Sequence, residues 1–153
     1  MTMKEKIFDA FKALGFKLED LDGNALGFHY EGRSFLLLSN EEDEGFLNIA
    51  LPCVLESDDV DEKTFNEAIE KLNSALKYVK TYYAFGGLTM FYERELIGDE
   101  NLKDVIRRMI LHLEAGHFFL HHCLLGSNND GDSGSTDNSD VCDITESSDE
   151  EVA

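Results

Sequence analysis

Four histidines and a cysteine lie close together near the end of the last helix that the sequence predicts in this 153-residue chain. His117 and His121 are four residues apart, with Glu114 three residues before His117, so one helical face would carry all three side chains. Helical zinc sites use this spacing, but they need a third and usually a fourth ligand from elsewhere. No HExxH motif and no second Glu-x-x-His motif supplies those ligands. We therefore expect no metal and no cofactor; a small metal-dependent enzyme built on these histidines is the alternative.

The sequence motifs of several large enzyme classes are missing from the chain. It has no GxSxG motif of serine hydrolases, no P-loop and no GxGxxG after a strand. Cys123 follows two histidines, but consecutive residues of a helix point in different directions, so packing in the core explains Cys123 and Cys53 better than catalysis. The sequence therefore predicts a protein that is not an enzyme.

The chain is strongly acidic, with 32 acidic and 13 basic side chains and a net charge of -19. This charge repels phosphate backbones and anionic lipid, so we expect neither nucleic acid nor a membrane as a partner. The three cysteines are far apart and odd in number, which indicates reduced thiols. No apolar signal segment follows the amino terminus. These features predict a cytoplasmic protein.

The spacing of apolar residues predicts a helix, three strands, a second helix, a β-hairpin and a third helix over residues 1–125. This order favours one α+β domain, in which helices pack on an antiparallel sheet. Residues 126–153 differ sharply, with six Asp, three Glu and no Lys or Arg. Such a segment cannot bury enough apolar surface to order itself, so we predict a disordered acidic tail.

Local signals set the expected register of the strands. A two-residue turn at Glu31-Gly32 pairs Phe28 with Phe35, and a Gly86-Gly87 turn closes the later hairpin. In the third strand Cys53 is expected to point inward with the leucines around it. Pro52 has no N–H to donate, and therefore marks an edge or a bulge.

The later hairpin has an outer face that combines charge with aromatic rings. The Gly86-Gly87 turn sets Tyr82 opposite Phe91 and Lys80 opposite Glu93, with Tyr78 joining the aromatic pair. Partial cover by a helix is one explanation of this face. The other is an interface, because aromatic residues are enriched in interface cores.

Two further apolar residues of the last helix lie off its main apolar stripe. Together with the hairpin aromatics they give five candidate protein-binding residues: Tyr78, Tyr82, Phe91, Phe118 and Leu125. A monomer rarely leaves such patches in water, and a two-fold contact between two copies would cover them. A homodimer is therefore expected.

The order helix, three strands, helix, hairpin and amphipathic carboxy-terminal helix, in about 125 acidic residues, resembles the type III secretion chaperone fold and the YbjN-like proteins that share it. The resemblance implies a non-enzymatic, usually dimeric domain, and the secretion chaperones cradle an extended segment of a client protein. The tail after Gly126 is not part of that pattern. We therefore expect a protein-binding module that binds a partner polypeptide through apolar surface. An acidic inhibitor or immunity-type protein that covers a basic partner surface is the alternative, for which the net charge argues.

Overall fold

The computed structural model describes residues 2–21, 25–38, 45–56 and 58–125, with side chains as far as residue 122. The elements are α1 (Met3–Ala13), β1 (Glu19–Asp20), β2 (Ala25–Tyr30), β3 (Arg33–Leu38), β4 (Phe46–Glu56), α2 (Glu62–Ala75), β5 (Val79–Ala84), β6 (Gly87–Glu95) and α3 (Leu102–Phe118). α3 continues into a π-helical segment, Phe119–Leu125. The predicted α+β class and order of elements are confirmed, with β1 as a short addition. The predicted tail, residues 126–153, lies outside the described residues.

The six strands form one antiparallel sheet in the order β1-β2-β3-β4-β6-β5. The buried side chains of the three helices join the apolar side chains of one sheet face in a single core. Phe11, Leu72 and Ile106, one from each helix, are fully buried in it. Each helix therefore uses its apolar stripe on the same side of the sheet.

The predicted turn between β2 and β3 is confirmed. Glu31 and Gly32 both have positive φ values, of 49° and 81°, as the tightest hairpin turn requires. Phe28 pairs with Phe35 in the resulting register. The two rings stack with centroids 5.4 Å apart, and they lie against α1 in the core.

The turn between β5 and β6 lies one residue earlier than the sequence predicts. Phe85 and Gly86 are its central residues, with φ values of 55° and 86°, and Ala84 pairs with Gly87. Gly87 belongs to the strand for a reason of space, because a Cβ there would lie 2.9 Å from the carbonyl oxygen of Leu55 in β4. The predicted Gly86-Gly87 turn is therefore wrong.

This correction changes the cross-strand pairs of β5 and β6. Tyr82 lies opposite Thr89, and Lys80 lies opposite Phe91. The pairing shifts by two residues, so the side chains within the two strands keep their faces. The predicted partners Tyr82 and Phe91 become diagonal neighbours.

β4 contains a bulge next to Pro52, as the sequence predicts. The register with β6 shifts between Leu51 and Leu55, and Cys53 has a φ of 54°. The side chain of Cys53 is exposed, and its Sγ donates to the carbonyl oxygen of Phe85 at 2.8 Å. The prediction that Cys53 packs in the core is therefore wrong, because the extra residue of the bulge interrupts the alternation of the strand.

α3 lies close to the sheet because of Gly116. A Cβ at this position would lie 3.1 Å from Cδ1 of Leu76 and 3.1 Å from Sδ of Met90. Beyond this contact the π-helical segment buries two consecutive side chains, Phe119 and Leu120. The wider winding of the chain there places residues in the core that an α-helical stripe would leave out.

β5 forms one edge of the sheet, and a side chain of α2 covers the middle of that edge. Oδ1 of Asn73 accepts a hydrogen bond from the backbone N–H of Thr81 at 2.6 Å, and its Nδ2 donates to the Thr81 carbonyl at 2.9 Å. The amide thus pairs with the backbone as a neighbouring strand would. Natural sheets block their edges in this way against pairing with other chains.

We expect Asn73→Ala to lower the free energy of unfolding by about 1–3 kcal/mol, because the N–H and C=O of Thr81 lose their partner. Ser74→Ala is the matched control, since the Ser74 hydroxyl bonds only within its own helix, to Lys71. This control should change stability by less than about 0.5 kcal/mol. Urea unfolding of the three proteins measures both effects, and equal values for the two variants would contradict the role of Asn73.

Candidate protein-binding surface

The sheet face opposite the helices carries its own small apolar cluster. Leu36 of β3, Ala50 of β4 and Phe91 of β6 are buried there, in one row across three neighbouring strands. The partly buried apolar residues that pack against this row, Ala25, Leu38 and Ala84, all belong to strands, and the ring of the turn residue Phe85 lies 6.4 Å from that of Phe91. We call the surface formed by these three residues with Tyr82 and Phe85 the open face.

The exposed part of the open face is aromatic. The rings of Tyr82 and Phe91 stack with centroids 4.4 Å apart and 9° between their planes. The predicted contact of this pair is confirmed, although it is made diagonally. Within this stack the side chain of Phe91 is 3% exposed and that of Tyr82 is 46% exposed, and the nearby Phe85 is 52% exposed. Tyr82 and Phe85 therefore both offer apolar area to a partner.

A row of polar side chains borders the stacked rings. Glu93 forms an ion pair with Lys80, which raises the pKa of the Lys80 ammonium, and accepts from Nδ2 of Asn48 at 3.3 Å. The predicted ion pair between Lys80 and Glu93 is confirmed, but the two residues are diagonal neighbours and not opposite each other. Oδ1 of Asn48 is buried and has no hydrogen-bond partner among the described residues. An unpaired buried carbonyl costs about 1–3 kcal/mol. Because this oxygen is covered, the polar group open to a partner is the carboxylate of Glu93, whose side chain is 36% exposed.

Tyr78 lies on the other side of the sheet. Its ring stacks on that of Tyr92, with centroids 5.7 Å apart, and touches His112 of α3 edge-on. Tyr92 is a residue of the main core, on the helix side. The predicted grouping of Tyr78 with Tyr82 and Phe91 is therefore wrong. Its φ of 70° just before β5 breaks the alternation on which the prediction depended.

Phe118 and Leu125 belong to the end of α3 and not to the open face. Phe118 is exposed, and its ring stacks on that of His122 with centroids 4.2 Å apart. Leu125 ends the π-helical segment, and its side chain lies outside the described part of the chain. Of the four candidate residues whose side chains are described, the structure brings together only Tyr82 and Phe91.

Sequence reasoning missed three residues of the open face: Leu36, Ala50 and Phe85. A signal for Leu36 was present in the run Phe35-Leu36-Leu37-Leu38. An antiparallel strand with one solvated face alternates apolar with polar residues, so an unbroken apolar run indicates that both faces are apolar. Phe85 was missed because its exposure follows from the true position of the turn.

On the helix side, a chain of polar groups links β3 to α3. Arg33 donates from Nε to Nδ1 of His117 at 3.3 Å and from Nη1 to Glu114 at 3.1 Å. Nε2 of His121 lies 2.9 Å from the carbonyl oxygen of Val54, in the β4 bulge. A carbonyl oxygen only accepts, so His121 carries a proton on Nε2. These bonds tie the bulge and the β2–β3 hairpin to the end of the last helix.

The two histidines of the predicted helical pair do come together, with ring centroids 4.6 Å apart. One ring nitrogen of each is already used by Arg33 or by Val54. Within the described ranges, no group of three His, Cys, Asp or Glu side chains is arranged to hold a metal ion. The geometry gives the pair no third ligand.

The cluster makes His117 a poor base. Burial, followed by the nearby charges of His121 and Arg33, lowers the pKa of His117 from 6.5 to about 4. Between these values the unfolded chain binds a proton that the folded chain does not, so stability should rise with pH in this window. Burial raises the pKa of Glu114, and a raised carboxyl pKa makes stability fall as the pH rises, which opposes the effect of His117. A comparison of variants is therefore needed to isolate His117.

No family model matches this chain, and no curated protein matches its sequence. Among the described helices, none is long and apolar enough to cross a membrane.

We expect purified protein to contain no stoichiometric zinc or iron. Two helical ligands without a third bind a metal too weakly to retain it through purification. Elemental analysis of the full chain measures this. About one metal ion per chain would contradict the prediction and would favour the metal-dependent enzyme.

We expect the stability of the wild-type protein to fall more steeply than that of His117→Asn as the pH drops from about 6.5 to about 4. The Asn side chain keeps an acceptor for Arg33 but does not titrate. The gap between the two proteins should change by roughly 1–3 kcal/mol across the window. Urea unfolding at several pH values measures it, with Ser74→Ala, which removes no titrating group, as a control that keeps the wild-type slope. Parallel slopes for wild type and His117→Asn would contradict the assignment.

Proposed function

We propose that this chain is a non-enzymatic protein-binding module whose open face binds a partner polypeptide through apolar surface. The observation that carries the proposal is the pair of half-exposed rings, Tyr82 and Phe85, beside a buried apolar row that no described helix covers. Aromatic residues at the centre of an apolar patch are the usual anchors of protein interfaces. The resemblance to the secretion chaperones supports the same class of function.

The state of the sheet edges favours binding on the face. The amide of Asn73 already pairs with the middle of β5, and β1 at the opposite edge has only two residues. A partner that added a strand would find no long free edge at either side. The partner therefore contacts side chains of the open face, where Tyr82 and Phe85 provide the apolar area.

The polar groups of the open face indicate what the partner supplies. The carboxylate of Glu93 borders the stacked rings, and its side chain is 36% exposed. A donor-bearing side chain next to an apolar one would bond this carboxylate and cover the rings. We propose a protein or peptide partner of this kind, with neither nucleic acid nor a membrane as a partner, and a cytoplasmic location in keeping with reduced thiols.

An acidic inhibitor or immunity-type protein is the second candidate, and the net charge of -19 is the observation that favours it. Such a protein would use its charge to cover a basic surface, and its binding would weaken steeply with salt. An apolar contact through the open face would keep most of its affinity. A salt series therefore separates the two functions.

We expect Tyr82→Lys to weaken peptide binding by about tenfold or more, since a buried interface aromatic contributes more than about 1.4 kcal/mol. The probe is a phage-displayed library of random linear peptides, selected on the full-length wild-type chain. Phe118→Lys is the matched control, because it makes the same kind of change at an exposed ring outside the open face. Affinities are measured from low salt to about 0.5 M salt.

Two results would contradict the proposal. Selected peptides that bind Tyr82→Lys as tightly as wild type would show that the open face is not the site. Binding that is lost at about 0.5 M salt in both proteins would favour the acidic inhibitor.

The homodimer is proposed through the same face, since a second copy is one source of apolar cover. We expect light scattering to give a mass above the 17.2 kDa of one chain, and Tyr82→Lys to return it to that mass. Phe91→Lys is a poorer test because its ring is buried. A mass of 17.2 kDa for wild type over the micromolar to millimolar range would rule the dimer out.

A further inference from the structure

The helix layer has a groove of its own, away from the open face. It lies between the end of α1, the β2–β3 turn and the middle of α3, and its volume is about 540 Å³. Leu14, Phe16, Ile110 and Leu111 provide its apolar lining, and Arg107 lies at its wall. Leu111 is 57% exposed although it is a leucine in the middle of a helix. The groove therefore presents apolar surface beside a basic side chain.

The two segments that form the helical walls of this groove are basic in an otherwise acidic chain. The two segments that form its helical walls, residues 1–18 and 101–125, hold seven Lys or Arg against four Asp or Glu. Lys12 and Lys17 directly flank the lining run 13–16. An occupant that complements these walls carries negative charge and apolar side chains together.

A segment of the same chain has this composition. Residues 140–146 read Asp-Val-Cys-Asp-Ile-Thr-Glu, with three acidic side chains around Val141 and Ile144. These two residues are the only Val, Ile, Leu, Met or aromatic residues between 126 and 151. If the segment winds into one helical turn on docking, a spacing of three would place both side chains on the same side.

The tail also has a suitable length. The helical path from Leu125 back to Leu111 spans about 20 Å, at about 1.5 Å per residue. An unstructured chain of about 16 residues, the separation of Leu125 from Val141, has an r.m.s. end-to-end distance of about 20–24 Å. Effective concentration is highest when these two lengths match, so docking within the chain is favoured over binding from solution.

We propose that residues 140–146 dock into this groove within the same chain, with Val141 and Ile144 against the apolar lining and the acidic side chains toward Lys12, Lys17 and Arg107. The proposal goes beyond the proposed function, since it concerns the helix side and leaves the open face free. Glu31 lines the groove on the side of the β2–β3 turn, so the acidic side chains lie away from that wall. In the structure Arg107 forms an ion pair with Asp104, with the two atoms 3.1 Å apart. Both side chains are exposed and such a pair is weak, so Arg107 can exchange Asp104 for an acidic side chain of the docked segment.

Cys142 lies inside the segment and reports on docking in the full-length chain. We expect iodoacetamide to alkylate Cys142 about fivefold more slowly in wild type than in Leu111→Asp, which corresponds to a docked population of about four-fifths. The exposed Cys53 is the internal reference. Ile97→Asp is the matched control, since Ile97 is an exposed apolar residue outside the groove lining.

A second measurement keeps the test independent of the stability of Leu111→Asp. In nitrogen–proton correlation spectra of the full chain, Ile144→Asp should shift the amide signals of Leu14, Phe16 and Leu111. Val152→Asp makes the same change of charge beyond the segment, and should leave those signals unchanged. Shifts confined to the groove, with slow alkylation of Cys142, would support the proposal.

Either of two results would overturn it. Equal alkylation rates of Cys142 in wild type and Leu111→Asp, with no shifts at the groove in Ile144→Asp, would show that the segment does not dock there. Protection of Cys142 that disappears on dilution would show docking between chains, against the intramolecular form.

Discussion

A six-stranded sheet has two faces, and the described part of this chain supplies helices for one of them. The helix-covered face holds nearly all of the buried apolar residues, in one core that α1, α2 and α3 share. The other face buries a single row, Leu36, Ala50 and Phe91, by stacking and strand neighbours alone. This imbalance makes the open face the natural place for a partner, since a solvated sheet face is normally polar.

Pro52 has effects well beyond its own position. Its bulge exposes Cys53, frees the Val54 carbonyl for His121 and brings the Leu55 carbonyl close to Gly87. The last of these contacts excludes a side chain at the start of β6, so the turn takes Phe85 instead. The exposure of Phe85 on the open face thus follows from the geometry of a different strand.

The sequence was sufficient for the order of the elements, because each helix and strand has a clear apolar period of its own. The sequence was also sufficient for the Glu31-Gly32 turn, because a single glycine between the two strands leaves little choice for the position of the turn. Two adjacent glycines at 86 and 87 left a choice that local signals could not resolve, since the deciding contact is with Leu55, far away in sequence. The prediction for Tyr78 was wrong for a similar reason. A left-handed conformation just before β5 places the Tyr78 side chain on the other face of the sheet, and a tyrosine gives no local sign of that conformation. Of the candidate site, the Tyr82–Phe91 contact was predictable and the buried row beneath it was not.

The strand order has a consequence for how the chain folds. β4 and β6 are central neighbours, and Phe46 pairs with Glu95 although about 50 residues separate them, whereas the two tight hairpins are closed locally. The entropic cost of closing that long loop must be offset before the sheet can form as one unit. During synthesis the first half of the chain holds β2, β3 and β4 with one side of β4 unpaired, until β6 leaves the ribosome. We therefore expect the slow step of folding to be the docking of the β5–β6 hairpin onto β4, with α2 and Asn73 closing the new edge at that point.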